Sequence, residues 1–124
     1  MSAIRYTEDH EWIEVDGDGN ATVGITDHAQ DALGDIVFIE LPPVGKAFVK
    51  GDPAAVVESV KAAADVKMPV SGVVTEVNEA IVGDPAAVNK DPMGVGWFLR
   101  IKPDNPADLE SLMGGEAYQA LLSR

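Results

Sequence analysis

A chain of 124 residues in which 46% are hydrophobic and 24% are charged can build one core under an ordinary polar surface, so we expect residues 1–124 to form a single domain. Twenty-one acidic residues against nine basic ones give a net charge of −12, which disfavours binding to nucleic acid and to anionic membranes. Cysteine is absent from the sequence, which excludes disulfides, thiolate catalysis and cysteine-ligated metals.

The N-terminal segment, residues 1–10, carries no recognisable targeting signal. It has neither the apolar stretch of a signal peptide nor the Arg/Ser-rich, acid-poor character of a transit peptide. No apolar run elsewhere in the sequence approaches the length of a membrane span. We expect a cytoplasmic protein, and we expect it to be a monomer.

A β-hairpin followed by a short helix is predicted for the next segment. Glu11–Val15 and Ala21–Ile25 are rich in β-forming residues, and the residues between them include Gly and Asn, which tolerate a positive φ. Thr26 can then cap a helix near residues 27–33, and Gly34 can end it.

Three further strands are predicted at residues 36–39, 72–77 and 97–101. The first is a dense apolar run that stops at Pro42-Pro43. The other two also combine β-branched or aromatic residues over the length of a strand.

The C-terminal segment is predicted to be helical. Asn105 is a good N-cap, Pro106 suits the first helical position, and Gly114-Gly115 stops the run. A second short helix is expected at residues 116–122. Many short strands followed by terminal helices predict a mainly β protein with a sandwich or barrel-like core.

One six-residue segment, Gly-Asp-Pro-Ala-Ala-Val, occurs at residues 51–56 and again at 83–88, 32 positions later. We interpret it as a structural repeat of two similar β units, although Gly-Asp-Pro is also a common turn signal that can recur by chance. In this register Lys61 corresponds to Met93, which lies in the turn signal Asp-Pro-Met-Gly. The repeat therefore predicts that Lys61 lies at the turn of a hairpin.

Lys61 is a candidate for covalent modification. It follows an apolar strand segment, residues 56–60, and precedes three alanines at 62–64, so its amine would be accessible to an acylating enzyme. An exposed lysine is nevertheless far more often a solvated charge. Local chemistry alone therefore leaves both interpretations open.

Motifs in order along nearly the whole chain point to one family. Around Lys61 the sequence is Val-Glu-Ser-Val-Lys-Ala-Ala-Ala-Asp at 57–65, followed by Pro-Val-Ser-Gly at 69–72. The other motifs are His-Glu-Trp at 10–12, Gly-Ile-Thr-Asp-His-Ala-Gln at 24–30, Leu-Gly-Asp at 33–35, Val-Phe at 37–38, Val-Asn at 88–89, Asp-Pro at 91–92, Gly-Trp at 96–97 and Leu-Glu-Ser-Leu-Met at 109–113. Together they resemble the H-protein family of the glycine cleavage system. Ala64 and Met93 depart from it, since the family usually has a serine and an aromatic residue there.

The resemblance implies a mainly β fold, a barrel-sandwich hybrid of the lipoyl-domain-like hammerhead type. This fold has two antiparallel sheets, a short helix near residues 27–33 and C-terminal helices. The resemblance also implies that lipoate is attached covalently to Lys61, within a cofactor-binding segment that includes Glu58, Ser59 and Asp65. Family members fold the loaded arm into a cleft that offers a carboxylate to its amine, and Glu11 and Asp65 match the candidates for that cleft. No catalytic residue and no metal site are implied.

A carrier rather than an enzyme is therefore expected. In this family the carrier takes an aminomethyl group from the pyridoxal-phosphate-dependent glycine decarboxylase, the P protein. It delivers the group to the tetrahydrofolate-dependent aminomethyltransferase, the T protein, and is reoxidised by the FAD- and NAD-dependent dihydrolipoyl dehydrogenase, the L protein. A lipoate ligase or lipoyltransferase would load Lys61. An H-like protein that mainly relays lipoyl groups to other carriers is an alternative that the sequence does not separate.

Other functional classes fit less well. Biotin carriers modify a lysine between two methionines, but Lys67 lacks the preceding methionine and falls away from the predicted tip. Lipoyl domains of 2-oxo acid dehydrogenases usually have Asp before the modified lysine, where this chain has Val60. His10 and His28 lie beside acidic residues, which is common in so acidic a chain, and neither belongs to a recognisable catalytic or metal-binding motif.

Overall fold

A computed structural model describes residues 3–123, and this part of the chain is mainly β. Its strands are β1 (Ala3–Tyr6), β2 (Glu11–Val15), β3 (Ala21–Ile25), β4 (Ile36–Glu40), β5 (Ala47–Phe48), β6 (Pro53–Ser59), β7 (Ala63–Lys67), β8 (Gly72–Val77) and β9 (Leu99–Pro103). Its helices are α1 (Asp27–Leu33), α2 (Glu79–Gly83), α3 (Ala86–Lys90), the 3-10 helix Pro106–Ser111 and α4 (Gly115–Leu122). Between residues 3 and 123, none of these helices has the length and apolar character needed to cross a bilayer.

The strands form two antiparallel sheets. The larger has the order β1-β2-β3-β9-β8-β5, and the smaller has the order β4-β6-β7. One core joins them: Ile13, Val23 and Leu99 come from the larger sheet, and Val57 and Val66 from the smaller. Two antiparallel sheets with short helices confirm the predicted fold class.

The N-terminal hairpin is confirmed with the predicted strand ends. Glu11 pairs with Ile25 at one end and Val15 with Ala21 at the other. In the turn, the Asp16 carboxylate accepts hydrogen bonds from the backbone N–H groups of residues 18 and 20, at 2.8 and 3.1 Å. The turn is therefore specified by local side-chain contacts.

The helix predicted near residues 27–33 is also confirmed, as α1. The Thr26 hydroxyl accepts from the Ala29 N–H at 3.3 Å, as an N-cap should. Gly34 follows the last turn with φ 78°, a conformation that favours glycine, and its N–H donates to the Gln30 carbonyl.

The strand predicted at residues 97–101 instead starts at Leu99. Gly96 packs tightly against α3, since a Cβ added there would lie 2.8 Å from the Val88 Cα. The Trp97 ring lies under the Arg100 guanidinium, 4.2 Å away. Strand pairing begins at Leu99, which pairs with Val23 on one side and Val77 on the other.

The repeat prediction is wrong, because the two copies of the six-residue segment have different structures. Residues 53–56 open strand β6, which pairs with β4 and β7. Residues 86–88 instead open helix α3. The surroundings, rather than the shared letters, decide the conformation of so short a segment.

Both C-terminal helices are present, but the first differs in type. Asn105 caps it as predicted, accepting from the Ala107 N–H at 3.1 Å. The segment Pro106–Ser111 is a 3-10 helix, and both Leu109 within it and Leu112 at its C-cap are buried. The second helix, α4, begins one residue before its predicted start and buries Tyr118.

Candidate functional site

Lys61 lies in the turn of the hairpin formed by β6 and β7. Strand pairing reaches Glu58 and Ala63, so the intervening residues form the turn. The Ser59 hydroxyl accepts from the backbone N–H groups of Lys61 and Ala62, at 3.3 and 3.0 Å, and donates to the Ala62 carbonyl at 3.1 Å. Ser59 therefore stabilises a turn that contains no Gly or Pro.

The Lys61 side chain is exposed and extends over Gly34, just after the end of α1. A Cβ added to Gly34 would lie 3.3 Å from the Lys61 Cε and 3.9 Å from its Nζ. The turn is tied to the same segment through a hydrogen bond from the Val60 N–H to the Asp35 carbonyl, at 3.0 Å. The ammonium group near a helix C-terminus is also favourably placed in the field of the helix.

Asn89 holds this segment in place from the other side. Its side-chain NH₂ donates to the Gly34 carbonyl and to the Gln30 side chain, at 2.8 and 2.9 Å. Its side-chain oxygen accepts from the Ile36 N–H at 2.9 Å. The sequence predicted no role for Asn89, because its three partners lie 53 to 59 residues away along the chain.

Glu11 is a buried carboxylate at the opposite end of β7. The residue is 3% exposed. One oxygen accepts from the Thr7 hydroxyl at 2.8 Å, and the other accepts from the Lys67 backbone N–H at 3.0 Å. Burial raises the pKa of Glu11 above its ordinary value, and these two hydrogen bonds oppose the shift. Glu11 lines a cavity of about 230 Å³ together with Lys67 and Met113.

Asp65 and Glu58 lie elsewhere, both exposed on the small sheet. Asp65 pairs with Val56 and borders a second cavity, of about 340 Å³, which shares no lining residue with the cavity at Glu11. Glu58 pairs with Phe38 and Ala63. Of the residues predicted for the site, the structure brings Lys61, Ser59 and Glu58 together at the turn. It places Glu11 and Asp65 at separate cavities.

The two histidines, far apart in sequence, lie side by side. The ring centres of His10 and His28 are 4.4 Å apart, and the His10 Nδ1 is 2.8 Å from the Tyr118 hydroxyl. Burial first, and His28 second, lower the pKa of His10, while Asp9 opposes the shift. Within residues 3–123, no group of three or more His, Cys, Asp or Glu side chains is arranged to hold a metal ion.

The two positions that depart from the family pattern are both partly buried. Ala64, on β7, packs against the core. Met93 lines a third cavity, of about 330 Å³, together with His28 and Tyr118. Neither residue lies in the turn of Lys61.

Comparison with known proteins gives consistent matches over nearly the full chain. The family model described as "Glycine cleavage H-protein" matches residues 4–124. The glycine cleavage system H protein of Psychrobacter sp. (strain PRwf-1) is 56% identical over 121 residues, which cover 98% of this chain and 96% of the relative. That of Rhodospirillum rubrum is 52% identical over 122 residues, covering 98% and 97%. A crystal structure of a glycine cleavage system H protein from Mycobacterium marinum superposes with a TM-score of 0.89 at 39% identity, covering 98% of each chain.

Proposed function

Because the chain belongs to the glycine cleavage H-protein family, we propose that Lys61 is the lysine to which its lipoyl group is attached. Proteins of this family carry a lipoyl group on a lysine and do not themselves catalyse a reaction. The protein is a carrier of the glycine cleavage system, which shuttles intermediates among the P, T and L proteins. The hybrid barrel-sandwich fold shared with the Mycobacterium marinum protein agrees with that role.

The exposure of Lys61 on a well-held turn is the observation that carries the proposal. Its neighbours Ala62 and Ala63 are small and exposed, so an acylating enzyme can approach the amine. Within residues 3–123, the salt bridges involve Lys67 and Arg100, and none involves Lys61. The amine is therefore accessible without breaking an ion pair.

Attachment requires Lys61 to act as a nucleophile. After Nζ has lost a proton to a base, its lone pair forms an amide with the carbonyl carbon of an activated lipoyl group, such as the adenylate made from lipoate and ATP. The bond from that carbon to the adenylate phosphate oxygen breaks, and AMP leaves. When bound, the lipoyl group supplies a disulfide that accepts both a one-carbon unit and electrons. Lys61 itself then serves only as a tether.

We propose that Glu11 receives the amine carried at the end of the loaded arm. A strand rise of about 3.3 Å per residue places Lys67, the partner of Glu11, on the order of 13 Å from the start of β7. An extended lipoyl-lysine arm spans a similar length. The Glu11 carboxylate borders a cavity and can accept a charge-assisted hydrogen bond from an ammonium group. Asp65, exposed between the two ends of β7, is proposed as a second contact of the arm.

Three further features complete the proposal. A lipoate ligase or lipoyltransferase loads Lys61, with Glu58 among the residues next to the acceptor lysine. We place the protein in the cytoplasm, where tetrahydrofolate and NAD serve its partner enzymes, and we expect a monomer. Fractionation of cells and sedimentation of the purified protein test these two expectations directly.

The substitution Lys61→Arg tests the attachment site. Arginine keeps the charge but cannot form the lipoyl amide, so the variant should fold normally and gain no lipoyl mass when incubated with lipoate, ATP and ligase. Lys67→Arg is the matched control and should be loaded like the wild type. Intact-mass spectrometry measures the lipoyl mass gained by each variant.

Reconstitution with the P, T and L proteins and carboxyl-labelled glycine gives a second measurement. Lys61→Arg should release no labelled carbon dioxide above background. Lys102→Arg, at an exposed lysine on β9 that lines none of the three cavities, should release it at the wild-type rate. Lipoyl mass on the Lys61→Arg protein, or on a different lysine of the wild type, would overturn the assignment.

A further inference from the structure

Three exposed apolar side chains lie at the end of the small sheet that carries Lys61. Val37 and Phe38 on β4 are 56% and 46% exposed, and Val60, which precedes Lys61, is 71% exposed. We refer to Val37, Phe38 and Val60 as the Phe38 surface. Exposed apolar residues on an edge strand promote aggregation unless a partner covers them. A surface of this kind therefore commonly marks an interaction site.

A β-bulge in β4 produces this surface. The pairing register shifts between Ile36, which pairs with Ser59, and Phe38, which pairs with Glu58. In a regular strand, successive side chains point to opposite faces. Here Ile36 and Ile39 are both buried, and the extra residue leaves Val37 and Phe38 exposed together.

The Phe38 surface is held in a fixed position relative to Lys61. The Val60 N–H is bonded to the Asp35 carbonyl, two residues before Val37. Asn89 binds both Gly34, over which the Lys61 side chain lies, and Ile36, where β4 begins. The acceptor lysine and the apolar residues are therefore presented as one unit.

Carboxylates surround these apolar residues on the outer face of the small sheet. Phe38 pairs with Glu58, and Glu40 pairs with Val56 two positions further along β4 and β6. Val56 in turn pairs with Asp65 on β7. These pairs contain three acidic and no basic residues. A partner that fits this face needs an apolar recess with a basic rim.

We propose that the Phe38 surface is the docking surface for the enzyme that attaches lipoate to Lys61; this inference rests on Lys61 being the attachment site. The unmodified lysine is much shorter than the lipoyl-lysine arm. The loading enzyme must therefore contact the residues beside the lysine to bring Nζ to its activated acyl group. The P, T and L proteins receive the long arm and have no such need to contact this surface.

Loading kinetics test the proposal. Purified lipoate ligase, lipoate and ATP are used with varied concentrations of the full carrier chain. Phe38→Ser should raise KM for the carrier about fivefold or more while kcat changes less than about twofold, because docking is weakened and the chemistry is not. Val60→Ser, at a side chain with little packing to lose, should raise KM in the same way. Val44→Ser is the matched control, since Val44 is 59% exposed and outside the small sheet, and should behave as the wild type does.

Each other result counts against the proposal. An unchanged KM for Phe38→Ser and Val60→Ser, in a protein whose wild type is loaded at Lys61, overturns the docking surface and leaves the attachment site standing. A wild type that is not loaded at Lys61 overturns the attachment site itself. Fully loaded Phe38→Ser should match the loaded wild type in KM for the glycine decarboxylase; a raised KM there with unchanged loading would assign the surface to the decarboxylase. Sedimentation showing a wild-type dimer that Phe38→Ser dissociates would assign it to a second copy of the chain.

Discussion

The two ends of strand β7 are built in contrasting ways. At the start of the strand, Lys61 lies in an exposed turn that is held by the Ser59 hydroxyl and by one hydrogen bond to the Asp35 carbonyl. At the other end, the buried Glu11 carboxylate accepts from the Lys67 backbone and from the Thr7 side chain. One end exposes an amine to solvent, and the other withdraws a carboxylate from water.

With the roles proposed for Lys61 and Glu11, one short hairpin would serve both attachment and protection of a tethered group. An acceptor lysine must be reachable, so its turn is stabilised by hydrogen bonds rather than by burial. A carboxylate meant to hold an amine is most effective where competing water is limited. The same strand connects the two, which fixes the distance between them.

The largest expected effect is a difference in stability between carboxylate substitutions at the two ends of β7. Glu11→Ala leaves the Lys67 N–H and the Thr7 hydroxyl without their acceptor, so the free energy of unfolding should fall by about 1–3 kcal/mol. Glu58→Ala removes an exposed carboxylate beside the turn and should change it by less than about 0.5 kcal/mol. Urea denaturation of the unmodified proteins measures both. Equal losses would show that the two ends do not differ in this way.

A substitution in the turn of Lys61 should lower the stability less than Glu11→Ala does, and it should also lower the rate of lipoylation. Ser59→Ala removes the acceptor for two backbone N–H groups, and the free energy of unfolding should fall by about 1 kcal/mol. The rate of lipoylation should fall as well, since the lysine is presented less uniformly. Ser111→Ala is the control, because the Ser111 hydroxyl donates one hydrogen bond, to Asp108, outside the hairpin. A Ser59→Ala protein loaded at the wild-type rate would show that Ser59 is dispensable for presenting Lys61.

The smallest expected effect is a dependence of stability on pH at the Glu11 end. The pKa of Glu11 is raised in the folded protein above its ordinary value of 4.5, so between those two values the folded state binds more protons than the unfolded state. Stability therefore falls as pH rises through this window. Glu11→Gln has no such proton to lose, so wild-type stability relative to this variant should decline as pH is raised from 4.5. A difference that is constant or grows with pH would contradict the burial of a titrating carboxylate at this position.

Local signals made much of the fold predictable from the sequence. The hairpin of β2 and β3 and helix α1 were predicted with the observed ends. In each case the deciding residues act on their own neighbours, as Asp16 does in the turn and Thr26 does at the cap. The prediction of Lys61 as the lipoyl-lysine rests instead on a long motif that lies among other motifs in order.

The remaining features depend on contacts between distant parts of the chain. The repeated segment becomes a strand in one copy and a helix in the other, because only the first copy lies between strands that can pair with it. The late start of β9 follows from the packing of Gly96 on Val88. The role of Asn89 requires knowing that Gly34 and Ile36 come to lie beside it. None of these neighbours is visible from local sequence.

The absence of a side chain at Gly34 has a consequence for an arm attached, as proposed, at Lys61. Because a Cβ at this position would lie 3.3 Å from the Lys61 Cε, glycine leaves the space in which the base of the arm can turn. A larger residue there would narrow the volume that the distal end of the arm explores, and so change its effective concentration at a docked enzyme.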